Sequence, residues 1–315
     1  MDLDFEKPLE AIEQRIAELK ALNNRADVNF DTEIAALERK LQTASKRVYA
    51  KLTPWETVQI ARHAERPLLR DYIQGLCSEF IELHGDRCFG DDQGIIGGFA
   101  TLRDQRVMLI GHQKGKTIEE KIKANFGMAS PDGYRKAMRL MHLAAKYKLP
   151  IVSFIDTPGA YPGFEAEARG QAEAIARNLT EMSLLPVPVV VIVTGEGGSG
   201  GAIGIGVGNV VLMLSNAVYS VISPEGCASI LWRDGSKAPL AASALKITAA
   251  ALQEQGVIDE IILEPEGGAH RNPAAAINAT GDAIVEQLRR LKKISSKRLI
   301  EQRYEKFSKI GRFKK

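Results

Sequence analysis

A layered α/β fold is what this sequence predicts, and three observations carry the prediction. Val189-Val190-Val191-Ile192-Val193-Thr194 is an unbroken β-branched run, the mark of a strand buried on both faces. Strand, glycine-rich loop and helix recur through the middle of the chain, as layered α/β architectures require. Hydrophobic residues make up 45% of the 315, enough to fill a large core.

The elements follow in order. Leu9, Ile12, Ile16 and Leu19, then Ile34, Leu37 and Leu41, recur at helical spacing on either side of the polar break Asn23-Asn24-Arg25-Ala26-Asp27. Two short amphipathic helices packed antiparallel explain residues 1–50, and such a pair needs the main body or another subunit to cover its stripe. The chain is irregular near Pro54 and Pro67, and Leu68 to His84 reads as helix. Ile95–Leu102 and Arg106–Gly111 read as a hairpin about Asp104-Gln105. Helix signals run from Gly133 through Lys148, a strand occupies Ile151–Ile155, and Glu165 to Leu185 reads as one helix. After the long strand at Val189, further strands fall at Val210–Leu214, Tyr219–Ile222 and Ile258–Ile262. Helices surround Ala228–Leu231 and Ala238–Gln253.

Charge and cysteine usage narrow the function classes. A formal net charge of +3 gives no global reason to bind nucleic acid or membrane. The end of the chain is basic, from Arg289 through Arg303 and Lys306 to Arg312, Lys314 and Lys315, with Leu288, Leu291, Leu299 and Phe307 interspersed. That pattern is an amphipathic helix pair with a solvated cationic face, and a docking surface for an acidic partner or RNA is its alternative. Cys77, Cys88 and Cys227 form no CxxC, which fits reduced thiols and no structural zinc. The acidic start and the lack of a run near ~20 apolar residues predict a cytoplasmic, non-membrane protein.

The chemistry concentrates in glycine. Gly195-Glu196-Gly197-Gly198-Ser199-Gly200-Gly201-Ala202 empties the long strand into a turn. Glycine there lets bare backbone approach a ligand and aims free amides at negative charge. Asp156-Thr157-Pro158-Gly159-Ala160-Tyr161-Pro162-Gly163 is a second stiff turn after a strand, so the two are expected to share a cleft. Gly197-Gly198-Ser199-Gly200-Gly201 also satisfies G-x-S-x-G, with Asp234 or Asp259 and then His270 in hydrolase order. A serine hydrolase using Ser199 is therefore the competing reading, although any glycine-saturated run holding one serine fits that pattern. Gly111-His112-Gln113-Lys114-Gly115-Lys116-Thr117 is one residue short of a Walker loop between its glycines, and reads as a plain loop after a strand. Nearby Lys121, Lys123, Arg135, Lys136 and Arg139 keep an anion-binding role open there. Glu165, Glu167, Glu173 and Glu196 form no acid/base couple and read as solvated or helix-terminal charges. Cys227 begins a helix, where a thiol can be activated, but no histidine shares its motif.

Taken together, several runs resemble the bacterial acetyl-CoA carboxylase carboxyltransferase α family over almost the whole chain. They are Gly111–Gly115, Asn125–Met128, Pro131–Ala137, Phe154–Gly163, Arg169–Gln171, Gly195–Ala202, Tyr219–Leu231 and Glu264–Asn272. Phe164 departs from the family, where a smaller residue is common. The resemblance implies a crotonase (ClpP/crotonase-like) spiral of ββα units with N-terminal and C-terminal helical extensions: 1–50, a core over 51–280, and 281–315. It implies transfer of a carboxyl group from carboxybiotin, borne on a biotin carboxyl carrier protein, to acetyl-CoA. The product is malonyl-CoA, in the first committed step of fatty acid synthesis. It implies an α2β2 assembly whose β subunit brings a zinc ribbon and the CoA side, no metal in this chain, and ATP used by a partner biotin carboxylase. Such transfer develops negative charge on carbonyl oxygens, so prepositioned amides suffice. The expected donors are the Gly200 and Gly201 amides, with Gly197 and Gly198 shaping the turn and Gly159 and Ala160 lining the carboxybiotin side.

Overall fold

A computed structural model describes residues 3–23 and 29–311. Asn24 to Asp27 of the predicted polar break, and Arg312, Lys314 and Lys315 of the basic end, lie outside the described residues. One sheet of eight strands organises the core. The strands are β1 (Cys77–Glu82), β2 (Ile95–Leu102), β3 (Gln105–His112), β4 (Ile151–Thr157), β5 (Val189–Gly198), β6 (Val210–Leu214), β7 (Val218–Ser220) and β8 (Glu260–Ile262). Their order is β1-β2-β3-β4-β5-β6-β8, with β7 paired to β5. β1 to β3 are antiparallel, and from β3 onward every pairing is parallel. Helix Pro131–Lys146 follows the β2–β3 hairpin and packs on it, forming the strand–strand–helix unit that the spiral requires.

The predicted strands β2 to β6 are all present, and β4 is buried at every position, as a parallel strand covered on both faces must be. Four local expectations are corrected. The hairpin turns at Arg103-Asp104, both with φ > 0, so Leu102 faces Gln105 one residue earlier than expected. The stretch from Leu68 is helical only over Leu69–Leu76; Cys77–Glu82 is an edge strand on β2, and its half-exposed residues mimic a helix's polar face. The helix expected over Glu165–Leu185 breaks at Gly170 (φ +82°) into Phe164–Ala168 and Gln171–Leu184. Ala238–Gln253 likewise divides, into Ala238–Leu245 and Ala249–Glu254, after Lys246 turns left-handed at φ +52°.

Two helical regions flank this core. Helices Lys7–Asn23 and Asp31–Tyr49 bury Ile16, Leu19 and Ile34 between themselves. Buried Glu6 ties them to the body: its carboxylate accepts from Arg271 Nη2 at 2.8 Å and from the Tyr49 hydroxyl, and lies 3.3 Å from His270. At the other end, helix Pro273–Leu291 runs through position 281 without a break, and Ile284, Leu288 and Leu291 join the main core. Helix Ser296–Ser308 adds Leu299. Its basic residues are not all solvated, because Arg303 is fully buried and caps the Met182 carbonyl at 2.8 Å, while Lys306 pairs with Asp259. No described helix is long and apolar enough to cross a membrane.

Candidate active site

Strand β5 delivers the glycine turn. Val190–Val193 pair with β6, whereas Glu196–Gly198 pair with β7, so the strand outruns β6 and splays to a second neighbour. Ser199 then takes φ +48°, a conformation rare outside glycine and asparagine, and helix Ser199–Ile203 starts at once. Its N-cap is Gly198, which offers no side chain. The first-turn N–H groups, Gly200 and Gly201 among them, therefore have no intrahelical acceptor. Among the described residues no side chain takes either one.

The second glycine turn packs against the first. A Cβ on Gly198 would strike the Pro158 carbonyl, and one on Gly201 would lie 2.5 Å from the Gly159 carbonyl carbon and 2.7 Å from the Ala160 nitrogen. A Cβ on Gly197 would lie 2.7 Å from the Tyr219 ring. Gly159 faces open space, and its own amide is occupied: Thr157 Oγ1 accepts from Gly159 N–H at 3.1 Å and donates to its carbonyl at 2.7 Å. The two turns thus meet, with Gly198 and Gly201 forming the seam and Gly159 the opening.

A chain of charges supports the seam from beneath. Glu225 meets Arg62 at 2.5 Å, Arg62 meets Glu196 at 2.6 Å, and Lys114 bridges Glu196 at 3.0 Å and Asp156 at 2.7 Å. Asp156 Oδ1 also accepts the Glu196 N–H at 2.9 Å, and leaves no room for a side chain on Gly195. Burial opposes ionisation of Glu196, but the Lys114 and Arg62 cations overcome it and hold its pKa below the ordinary value. Burial likewise opposes the Lys114 charge, and Asp156 and Glu196 raise its pKa in spite of it. His112 beside them is neutral: burial and the Lys114 cation push it down to about 3.

This geometry corrects several expectations. Glu196 is neither solvated nor helix-terminal but the centre of a buried ion chain. Lys114 of the glycine-rich loop is structural. Arg135 and Lys136 pair with Asp86 and Asp91, and Arg139 donates to the Gly85 carbonyl, so all three brace the loop before β2. The hydrolase triad is not assembled. Ser199 is exposed, Asp259 accepts from the Val211 N–H, Asp234 caps Ser236, and His270 packs on His63 with its rings 4.4 Å apart. Cys227 is buried among Ala228 and Ala241. Sequence reasoning missed Arg62, Asp156 and Glu225. Only Asp156, opening the second turn, carried a local signal; Arg62 and Glu225 are 163 residues apart and meet only in the fold.

A family model described as acetyl co-enzyme A carboxylase carboxyltransferase-like matches residues 2–311. The chain belongs to that family. It is 53% identical over 311 residues to the acetyl-coenzyme A carboxylase carboxyl transferase subunit alpha of Geobacter metallireducens, covering 99% of this chain and 98% of the relative. The subunit of the same name from Anoxybacillus flavithermus is 55% identical over 312 residues, covering 99% and 96%. Among solved structures, the transcarboxylase 12S core is similar at TM-score 0.59 and 18% identity over 72% of this chain and 42% of that one. A Pseudomonas malonate decarboxylase hetero-tetramer is similar at TM-score 0.58 and 15% identity, covering 74% and 90%. The family fold is the crotonase-type α/β spiral.

Proposed function

We propose that this chain is the α subunit of an acetyl-CoA carboxylase carboxyltransferase, which moves a carboxyl group from carboxybiotin on a carrier protein to acetyl-CoA. The observation that carries the reading is the seam itself. Two first-turn amides sit where main chain packs on main chain, over a charge chain that fixes them in place. The Gly200 and Gly201 N–H groups would hold the ureido oxygen as negative charge develops on it, and loss of one such donor costs ~10²–10³ in rate. Gly197 and Gly198 would set the turn, while Gly159 and Ala160 would line the carboxybiotin side.

A β subunit completes the site in this reading. The cavity at the turn, lined by Val58, Arg62, Pro158, Gly197, Gly198 and Pro224, holds only about 20 Å³. Small-molecule pockets hold roughly 300–1,000 Å³. Beside it Val221, Ile230, Leu231 and Leu240 are 78, 72, 63 and 61% exposed, an apolar face suited to a subunit that closes the cleft. Residues 1–50, 51–280 and 281–315 would then serve as helical pair, catalytic core and basic helical end, within a complex that includes the carrier and a biotin carboxylase. Co-expression with a β subunit, followed by assay of malonyl-CoA from carboxybiotin and acetyl-CoA, tests the whole. Formation of malonyl-CoA only by the pair supports the reading, and an inactive pair with both subunits folded overturns it.

A further inference from the structure

A cavity among the described residues lies away from the glycine seam, in the N-terminal helical pair. It holds about 840 Å³, within the usual small-molecule range. Arg39, Lys40, Arg47 and Lys51 form its rim, and Phe5, Val48 and Leu52 contribute to its floor. Within helix Asp31–Tyr49, Arg39, Thr43 and Arg47 recur at i+4, and Lys40, Ala44 and Val48 form a parallel row. A row carrying two arginines therefore lies beside a mainly apolar one, over roughly 12 Å at 1.5 Å per residue, and Lys51 and Leu52 line the same cavity just past the helix end.

These cations have no partners of their own. Among the described residues no carboxylate pairs with Arg39, Lys40, Arg47 or Lys51, and Arg39 donates only to the Ala35 carbonyl. The nearby acids are engaged: Glu38 with Lys20 at 2.7 Å, and Glu56 with the Thr53 N–H and hydroxyl at 2.7 and 2.8 Å. The groove sets four cations against the single carboxylate of Glu56, and such an excess of positive charge on a concave surface concentrates anions, while guanidinium groups favour phosphate through paired donors. The ion-paired remainder of the helical pair, including Arg15 with Glu18, confines the excess positive charge to this groove. That favours a compact ligand over a macromolecular partner, which needs a broader complementary surface.

We propose that this groove binds a nucleotide-sized organic polyphosphate, with phosphates on the cationic rim and the flat base on the apolar floor. The ligand is held and not consumed, and the site is separate from the carboxyl-transfer seam. Calorimetric titration of the chain, assembled with its β partner, uses ATP as the probe, with adenosine and inorganic tripolyphosphate as comparators. The expected result is saturable binding of one ATP per chain, tighter than either comparator. Reversing both Arg47→Glu and Lys51→Glu should weaken ATP at least about tenfold, as expected when two exposed charge contacts become repulsive. The double variant should also keep its rate of carboxyl transfer. Arg47→Gln, which should weaken ATP about threefold, keeps the test readable if the double reversal does not fold. Absence of saturable binding overturns the proposal. So does binding undiminished in these variants, or tripolyphosphate binding as tightly as ATP. Because the readout is binding, it stands apart from failure of the carboxyltransferase assay.

Discussion

Within one short turn, glycine does opposite things on two sides. At Gly198 and Gly201 the missing side chain lets main chain pack on main chain, and a Cβ would strike Pro158 or Gly159. At Gly200 a Cβ would meet only the Ile175 Cδ1, at 3.4 Å, which is ordinary contact. Gly159, across the seam, opens onto free space. The glycines that look interchangeable in sequence therefore divide into those that hold the amides in place and those that merely leave room. The rigidity of the donors comes from the first group and from the charge chain below it.

The charge chain gives the largest expected effect. Lys114→Met leaves Glu196 and Asp156 without their shared cation in a largely buried position, and removing one partner of such a set costs about 3–5 kcal/mol. Denaturant unfolding measures it, and a loss below about 1 kcal/mol would place the support of the turn elsewhere. Gly201→Ala comes next, at about 1–3 kcal/mol for forcing an atom into packed main chain. Since that shift moves the donors, its carboxyl-transfer rate should fall at least ~10²-fold. A fully active Gly201→Ala would break the contrast between the two groups of glycine.

Acid should act on the helical pair. Burial opposes ionisation of Glu6, but hydrogen bonds from His270, Arg271 and Tyr49 bring its pKa from the ordinary 4.5 down to about 2. A depressed carboxylate stabilises the fold above its unfolded value and loses that contribution as pH falls through the folded one. The Glu6 contribution to the thermal midpoint, read as the difference between parent and Glu6→Gln, should therefore hold down to about pH 4.5 and then be lost toward pH 2, on top of the earlier decline that neutral buried His112 imposes on both proteins. Equal slopes in the two proteins would remove Glu6 as the latch.

Much of this is legible in the sequence alone. Runs such as Val189–Val193 and Ile151–Ile155 announce buried strands because parallel strands need apolar residues on both faces. The edge strand Cys77–Glu82 was not, since it has one covered face and takes its order from β2. The two glycine turns were visible as candidates for one cleft. What remained hidden was which glycine does what. Sequence reads Gly201 as room for a ligand, whereas its space belongs to the Gly159–Ala160 backbone. Arg62 and Glu225 stayed invisible for a related reason. Long-range ion pairs leave no local pattern, and a lone arginine after a short helix is usually solvated.

The smallest effect discriminates most sharply. Gly200 lies in the first turn of the helix, with space for a methyl group and no positive φ to forbid one. Gly200→Ala should therefore raise stability by about 0.4–1 kcal/mol, through the restricted unfolded chain. Its amide survives the substitution, so the transfer rate should stay within about threefold of the parent, far short of the loss expected when a donor is removed. Thermal unfolding and malonyl-CoA formation on the same preparation read both quantities. If Gly200→Ala were as inactive as Gly201→Ala while still folded, the space in front of Gly200 would itself be required for substrate. The turn would then act through its emptiness as well as through its N–H groups.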